Sequence, residues 1–122
     1  MPFNEEGGER AAHQLLNCGI PFTAAVTFND VMAAGIMRIL HQQGITLPQQ
    51  LSIVGFDDVV MARYLYPALT TMHYPVERMA RYASQLAIQL FKGTTQRPSV
   101  NSFTAELVIR DSVLPPLSEI NA

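Results

Sequence analysis

The sequence has few of the features that mark secreted or membrane proteins. Among its 122 residues there is a single cysteine, Cys18, so no disulfide can form within the chain. This is in keeping with a reducing cytoplasm. The opening residues, MPFNEEGGER, have neither the basic nor the apolar region of a secretory signal. No apolar run approaches the ~20 residues that a membrane-spanning helix needs. We therefore expect a soluble, cytoplasmic protein.

Basic residues are also few and scattered. Eight Lys and Arg side chains stand against ten Asp and Glu, and the net charge at pH 7 is −2. Only Arg78 and Arg81 lie close together. This distribution does not predict a phosphate-binding stripe, so the chain by itself is expected to bind nucleic acid poorly.

The motifs of common catalytic and cofactor sites are missing. There is no Gly-x-Ser-x-Gly elbow, no Walker loop and no Gly-x-Gly-x-x-Gly. His13, His41 and His73 do not have metal-ligand spacing. We expect no metal, no cofactor and no enzymatic activity. A small α/β enzyme using Asp57 and His73 is kept as an alternative.

Helix and strand patterns alternate along the chain. Hydrophobic residues make up 48% of it and charged residues 15%, as in soluble globular proteins. Strand–helix–strand occurs twice in short succession, which predicts a parallel α/β sheet flanked by helices. The predicted helices cover 5–17, 29–44, 58–65 and 75–92, and the predicted strands cover 22–28, 51–56, 69–74 and 102–110.

Two polar pairs follow the first two predicted strands. Asn29 and Asp30 follow one strand, and Asp57 and Asp58 follow the next. Ligands of open parallel sheets bind beyond the carboxyl ends of the strands. We predict that Asp30 and Asp58, the second member of each pair, are helix N-caps. We predict that Asn29 and Asp57 bind a neutral, hydroxyl-rich ligand, with a local turn hydrogen bond as the alternative.

An aromatic residue precedes each polar pair. Phe28 and Phe56 could offer an apolar face to a sugar ring, and core packing is the alternative for both. These two phenylalanines complete the predicted ligand site.

Four segments in this order and spacing resemble one family of bacterial transcription regulators. The family is the lac-repressor/galactose-repressor (LacI/GalR) family, and the resemblance is greatest to its galactose-repressor branch. It extends from about Glu6 to Val113. The segments are TAAVTFNDVMAAGIMRIL, GITLPQQLSIVGFDD, RYLYPALTTMHYP and ELVIRDSV.

The resemblance implies an effector domain shaped like a periplasmic sugar-binding protein, with two lobes around a ligand cleft. Asn29 and Asp57 match positions that contact the effector in the family. The implied partners are a small-molecule effector, a sugar such as a galactoside, and a second copy of the chain. Sugar binding would then modulate how a repressor binds its operator. The implied dimer interface includes Val31, Ala34, Met61, Tyr64 and Leu65.

The resemblance also implies that residues 1–122 form one incomplete effector-binding domain, the C-terminal lobe. The helix-turn-helix DNA-binding domain and most of the first lobe are expected to be absent, so operator binding and full-affinity effector binding are not expected. Residues 75–92 would be a crossing helix that belongs to the first lobe. With its apolar stripe uncovered, we expect the chain to self-associate, as a dimer or by helix exchange. A fragment of a periplasmic sugar-binding transport protein is the alternative.

Overall fold

A computed structural model of the chain describes residues 1–94 and 101–117. The predicted order of helices and strands is confirmed, and each strand is shorter than predicted. The predicted helix over 58–65 is a 3₁₀ helix, and the loop residues 95–100 lie outside the described part. The elements are α1 (Glu5–Asn17), β1 (Ala24–Val26), α2 (Asp30–Gln42), β2 (Ser52–Val54), the 3₁₀ helix (Val60–Tyr64), β3 (Thr71–His73), α3 (Val76–Phe91) and β4 (Glu106–Val108).

The first three strands have the predicted parallel arrangement. β1 pairs in parallel with β2, with Ala25 opposite Ile53. Beyond this ladder, Val54 forms a parallel bridge with Thr70, which links β2 to the start of β3. β3 in turn pairs with β4. The carboxyl ends of β1, β2 and β3 therefore point the same way.

The core lies between α2 and the strands. The predicted apolar face of α2, which is Met32, Ile36, Ile39 and Leu40, is buried. It packs with side chains from β2 and from the segment between the 3₁₀ helix and β3. The buried cluster is Ala12, Ala33, Ile36, Met37, Ile39, Leu40, Leu51, Ile53, Ala62 and Leu69.

Helices α1 and α2 pack through glycines. A Cβ atom on Gly35 would lie 2.0 Å from the backbone oxygen of Glu5. A Cβ atom on Gly8 would lie 2.1 Å from the backbone oxygen of Met32. The two helices therefore approach so closely that only glycine fits at these positions.

The chain divides into two compact units. Of the described residues, one unit contains 1–73 and 107–117, and the other contains 74–94 and 101–106. In the second unit the ring of Tyr82 lies edge-on to Phe103, with the centroids 5.9 Å apart. None of the residues of α3 is buried, so its apolar stripe is uncovered. None of the helices within 1–94 and 101–117 is long and apolar enough to cross a membrane.

Candidate functional site

The ends of β1 and β2 are joined by a backbone hydrogen bond. The N–H of Asp30 donates to the carbonyl oxygen of Phe56 at 2.9 Å. Asn29 and Asp57 are the chain neighbours of these two residues. The polar pairs after the two strands therefore share one edge of the sheet, as the parallel arrangement predicted.

Asn29, and not Asp30, is the N-cap of α2. Its backbone is extended and its Oδ1 accepts a hydrogen bond from the N–H of Met32 at 2.8 Å. The capping role predicted for Asp30 was therefore wrong by one residue. The Nδ2 of Asn29 donates to the carbonyl oxygen of Phe3 at 3.1 Å. The amide still has one N–H and one lone pair that a ligand could use.

Asp30 is instead a buried tie between elements. Its Oδ1 accepts a hydrogen bond from the hydroxyl of Thr71 at 2.6 Å, and its Oδ2 accepts one from the N–H of Val59 at 2.9 Å. The residue is 0% exposed. The first turn of α2 thereby holds both β3 and the segment that follows β2.

Asp58 does not cap a helix either. The 3₁₀ helix begins two residues later, and its N-cap, Val59, makes no side-chain capping bond. The Oδ1 of Asp58 accepts a hydrogen bond from Nη2 of Arg110 at 2.7 Å, and its Oδ2 lies 2.9 Å from Nδ1 of His73. The predicted cap was wrong because the backbone of Asp58 is left-handed, with φ 55°, which turns the chain before the helix begins.

The side chains that bond to Asp58 set its protonation. Burial acts to raise the pKa of this carboxyl. The hydrogen bond and charge of Arg110, joined by those of His73, outweigh burial and hold the pKa below its ordinary value. Asp58 is thus a structural anion, held ionised by its neighbours.

Asp57 is exposed at the tip of the edge. Its N–H donates to the carbonyl oxygen of Met72 at 2.9 Å, and its backbone φ is 107°. Partial loss of hydration raises the pKa of the Asp57 carboxyl although the residue is exposed, and the charge of Asp30 raises it further. The side chain that was predicted to meet a ligand is therefore an exposed carboxylate on a fixed backbone.

The aromatic residues differ in their surroundings. Phe28 is 64% exposed and its ring stacks on that of Phe3, with centroids 4.4 Å apart and planes 22° apart. Phe56 is half-buried. The Phe3–Phe28 stack gives this edge an exposed aromatic surface, and a groove of about 350 Å³ beside Phe28 is lined by Val26 and Leu15.

Two residues at this edge were missed by the sequence analysis. Phe3 lies 26 residues before Asn29, and Arg110 lies 52 residues after Asp58. No local pattern signals contacts over such separations. The only sequence signal for Phe3 was its position directly before Asn4, the N-cap of α1.

The residues predicted at a dimer interface lie on α2, on the 3₁₀ helix and at Leu65, which directly follows it. Tyr64 is exposed, and the other four are half-buried. Leu65 also packs against the core cluster. Exposed apolar neighbours at the 3₁₀ helix are Val60 and Tyr66.

A wide cleft lies away from the predicted ligand residues. It has a volume of about 810 Å³ and is lined in part by Met37, His41, Leu47 and Tyr66. Neither Asn29 nor Asp57 lines it. Within the described ranges, no group of three or more His, Cys, Asp or Glu side chains is arranged to hold a metal ion. The ring of His73 contacts Asp58 and not Asp57, so His73 and Asp57 do not form the side-chain pair that the enzyme alternative needs.

Several known proteins are similar in sequence to this chain over most of the chain's length. Residues 2–113 match the model of the periplasmic binding protein-like domain. The chain is 44% identical over 116 residues to the transcriptional regulator GalR of Escherichia coli strain K12, which covers 95% of this chain and 34% of GalR. It is 44% identical over 108 residues to GalS of Salmonella typhimurium, covering 88% of this chain and 32% of GalS. The chain thus spans about a third of the length of these relatives.

Solved structures of regulators share the fold. The crystal structure of the Escherichia coli repressor AscG superimposes with a TM-score of 0.81 and 34% identity, over 93% of this chain and 41% of that chain. A LacI-family regulator from Enterococcus faecium with bound ribose gives a TM-score of 0.83 and 26% identity, over 93% and 42%. These matches confirm the predicted resemblance and favour the regulators over the transport proteins. The chain belongs to the periplasmic binding protein-like domain family, in the form found in LacI/GalR-type transcriptional regulators.

Proposed function

We propose that this chain is the effector-sensing part of a bacterial LacI/GalR-type repressor and that it binds a sugar at the edge formed by the ends of β1 and β2. The effector would change how a helix-turn-helix domain of the whole regulator binds its operator. The chain itself acts by binding and not by catalysis, in the cytoplasm. The relatives, which are transcriptional regulators, support this role.

The hydrogen bond between Asp30 N–H and Phe56 carbonyl is the observation that carries the proposal. It brings Asn29 and Asp57 to one edge, where an amide and a carboxylate can share the hydroxyls of one ligand. The exposed stack of Phe3 and Phe28 adds an apolar surface, as sugar-sized sites combine aromatic walls with few polar groups. The ribose complex of the Enterococcus faecium regulator supports a sugar as the ligand class.

The same proposal assigns roles to α3 and to the 3₁₀ helix. Residues 1–122 are one incomplete effector-binding domain, in which α3 crosses toward a first lobe. The absence of any buried residue in α3 supports this, since a helix with one apolar face is normally covered on that face. The half-buried and exposed apolar residues of the 3₁₀ helix, with Val31 and Ala34 of α2, form the proposed dimer interface.

Binding can be measured on the chain by nuclear magnetic resonance, which detects weak complexes. We expect D-galactose, D-ribose or lactose to shift the amide signals of Asn29, Asp57 and their neighbours, and we expect glycerol at equal concentration to leave them in place. Shifts that are confined to other parts of the chain, or no shift with any sugar, would contradict the proposed site.

Two variants test the predicted contacts with the fold preserved. Asn29→Ser keeps an N-cap oxygen for α2 but shortens the side chain. Asp57→Asn keeps a residue type that tolerates positive φ but removes the charge. Each should weaken sugar binding about tenfold, the order expected when hydrogen bonds to a charged or well-placed polar group are lost. Asp111→Asn is the control. The backbone N–H of Asp111 donates to the carbonyl oxygen of Ala68, before β3, whereas Asp57 lies beside Met72 within β3.

A further inference from the structure

The backbone at Asp57 and Asp58 has an unusual conformation. Both residues have positive φ, 107° and 55°. Non-glycine residues rarely adopt such angles, and they keep them only where surrounding contacts hold the chain in place. The position of the Asp57 carboxylate therefore depends on whatever fixes these two residues.

Arg110 is placed to fix them. Its Nη2 donates to Oδ1 of Asp58 at 2.7 Å, and its Nη1 donates to the carbonyl oxygen of Leu69 at 2.9 Å. The side chains of Arg110 and Asp58 are only 15% and 9% exposed. The guanidinium thus bridges the segment after β2 and the segment before β3, and solvent screens the pair little.

The backbone of Arg110 is itself anchored. Its N–H donates to Oγ1 of Thr70 at 2.9 Å, and the next residue, Asp111, donates its N–H to Ala68. On the other side of Asp58, Nδ1 of His73 lies 2.9 Å from Oδ2. Both oxygens of Asp58 are therefore engaged by side chains that sit on the β3 and β4 segments.

We propose that Arg110 is a positioning residue for effector binding, which acts through Asp58 to hold the carboxylate of Asp57 at the ligand edge. This inference rests on the proposed function, because it gives Asp57 the ligand contact. Arg110 itself touches no ligand in this arrangement. Its planar fork holds Asp58 and Leu69 at once, which an ammonium group cannot reproduce.

Amide hydrogen exchange tests the positioning without any ligand. In Arg110→Gln, we expect the Asp57 amide to exchange about tenfold faster, because its bond to Met72 opens locally. The amides of Thr27 and Ser52, which join β1 to β2, should be unchanged. Arg110→Lys should give an intermediate rate at Asp57, and Arg63→Gln, at an exposed arginine of the 3₁₀ helix, should give the wild-type rate.

Uniform acceleration at all of these amides would show a loss of global stability only, and it would overturn the proposal. Unchanged exchange at Asp57 would overturn it as well. The hydrogen-exchange experiment gives its answer whether or not the chain binds a sugar.

A double-mutant cycle with D-galactose tests the route through Asp57. Arg110→Gln should weaken binding about fivefold to tenfold in the wild-type background and less than about twofold in the Asp57→Asn background. An equal loss in both backgrounds would show that Arg110 does not act through Asp57. If the wild-type chain does not bind galactose, the proposed function fails for that sugar, and the exchange rates alone decide the positioning role.

Discussion

At the scale of single residues, Asp57 and Asp58 are neighbours whose pKa values move in opposite directions. Burial and Asp30 raise the pKa of Asp57, whereas Arg110 and His73 outweigh burial and lower that of Asp58. The surroundings of Asp57 thus favour its neutral form, and those of Asp58 favour its ionised form. Perturbed pKa values are more frequent at functional sites, so the raised pKa is in keeping with the ligand role proposed for Asp57.

The two carboxylates should therefore have opposite effects on stability. Because the folded pKa of Asp58 is lowered, its contribution is present above the unfolded value of 3.8 and is lost as pH falls through the folded pKa. Because the folded pKa of Asp57 is raised, its contribution is present below 3.8 and is lost as pH rises through the folded pKa. We expect Asp58→Asn to destabilise the chain at neutral pH and Asp57→Asn to preserve or increase its stability there.

Urea unfolding between about pH 3 and about pH 7 measures both effects. The deficit of Asp58→Asn should shrink as the pH falls, and any gain of Asp57→Asn should shrink in the same direction. The exposed carboxylate of Asp111, changed to asparagine, is the control. Identical pH profiles for the Asp57 and Asp58 variants would contradict the assignment.

Asp30 is expected to be the most costly carboxylate to remove. Asp30→Ala leaves the Val59 N–H and the Thr71 hydroxyl without their buried acceptor. We expect a loss of about 2–6 kcal/mol in the free energy of unfolding, since each buried donor that is left without its acceptor costs about 1–3 kcal/mol. Thr71→Val removes only one of the two bonds and should cost less, and Asp111→Ala should change stability by less than about 0.5 kcal/mol.

The result would be read from urea unfolding curves at neutral pH. If Asp30→Ala proved no more costly than Asp111→Ala, the buried tie would have no energetic role.

The sequence predicted that polar residues lie at this edge, but not which of them caps a helix and which of them bonds to distant parts of the chain. Asn and Asp are about equally good N-caps, so their order in the chain does not decide which one caps α2. The partners that decide are Phe3, Thr71 and Arg110, and they come from distant parts of the chain. The roles of Asp30 and Asp58 were wrong for this reason.

At the scale of elements, the contact between α1 and α2 depends on glycine. Gly35→Ala would raise intrinsic helix propensity by at most ~1 kcal/mol. Its Cβ atom would also meet the backbone oxygen of Glu5 at 2.0 Å, and overpacking of this kind costs about 1–3 kcal/mol. We therefore expect net destabilisation, measured as a lower thermal midpoint.

Gln42→Ala is the matched control, because it adds alanine to an exposed position of the same helix. It should be neutral or slightly stabilising. Equal midpoints for Gly35→Ala and wild type would mean that α1 moves away from α2 at little cost.

The elements themselves were largely predictable. The bounds of α1 are as predicted, and those of α3 differ from the prediction by one residue at each end, because each helix has a periodic apolar face and a glycine stop. Gly19 and Gly93 have the positive φ expected at helix ends. The strands were predicted too long, because ladder pairing ends where the partner strand ends and not where apolar residues end.

At the scale of the whole molecule, the described residues leave apolar surfaces uncovered away from the proposed ligand edge. One is the stripe of α3, and another surrounds the 3₁₀ helix, where Tyr66 is 99% exposed. Surfaces of this kind normally mark interfaces. Both support the prediction that the chain self-associates.

We expect light scattering at micromolar concentration to give a mass above that of one chain. Met79→Gln with Leu90→Gln should lower that mass if α3 is exchanged or covered between copies. The polar change Ser84→Gln on the same helix is the control. A single-chain mass for the wild type would contradict the prediction.

The proposed dimer interface is tested separately. Tyr64→Gln with Tyr66→Gln removes exposed aromatic area near the 3₁₀ helix, and the pair should reduce association. The α3 changes should lower the mass by the same amount whether or not the two tyrosines are replaced. If only the α3 changes matter, the interface proposed at the 3₁₀ helix is wrong.

The sequence by itself determined the alternation of helices and strands, the parallel sheet, and the presence of polar residues at two strand ends. These depend on periodicity and on neighbours in the chain, which a sequence records directly. Only the tertiary structure decided that Asn29 caps α2, that Asp30 is a buried tie and that Arg110 holds Asp58. Those roles depend on which distant groups arrive within hydrogen-bond distance, and a carboxylate acts according to the partners that the fold brings to it.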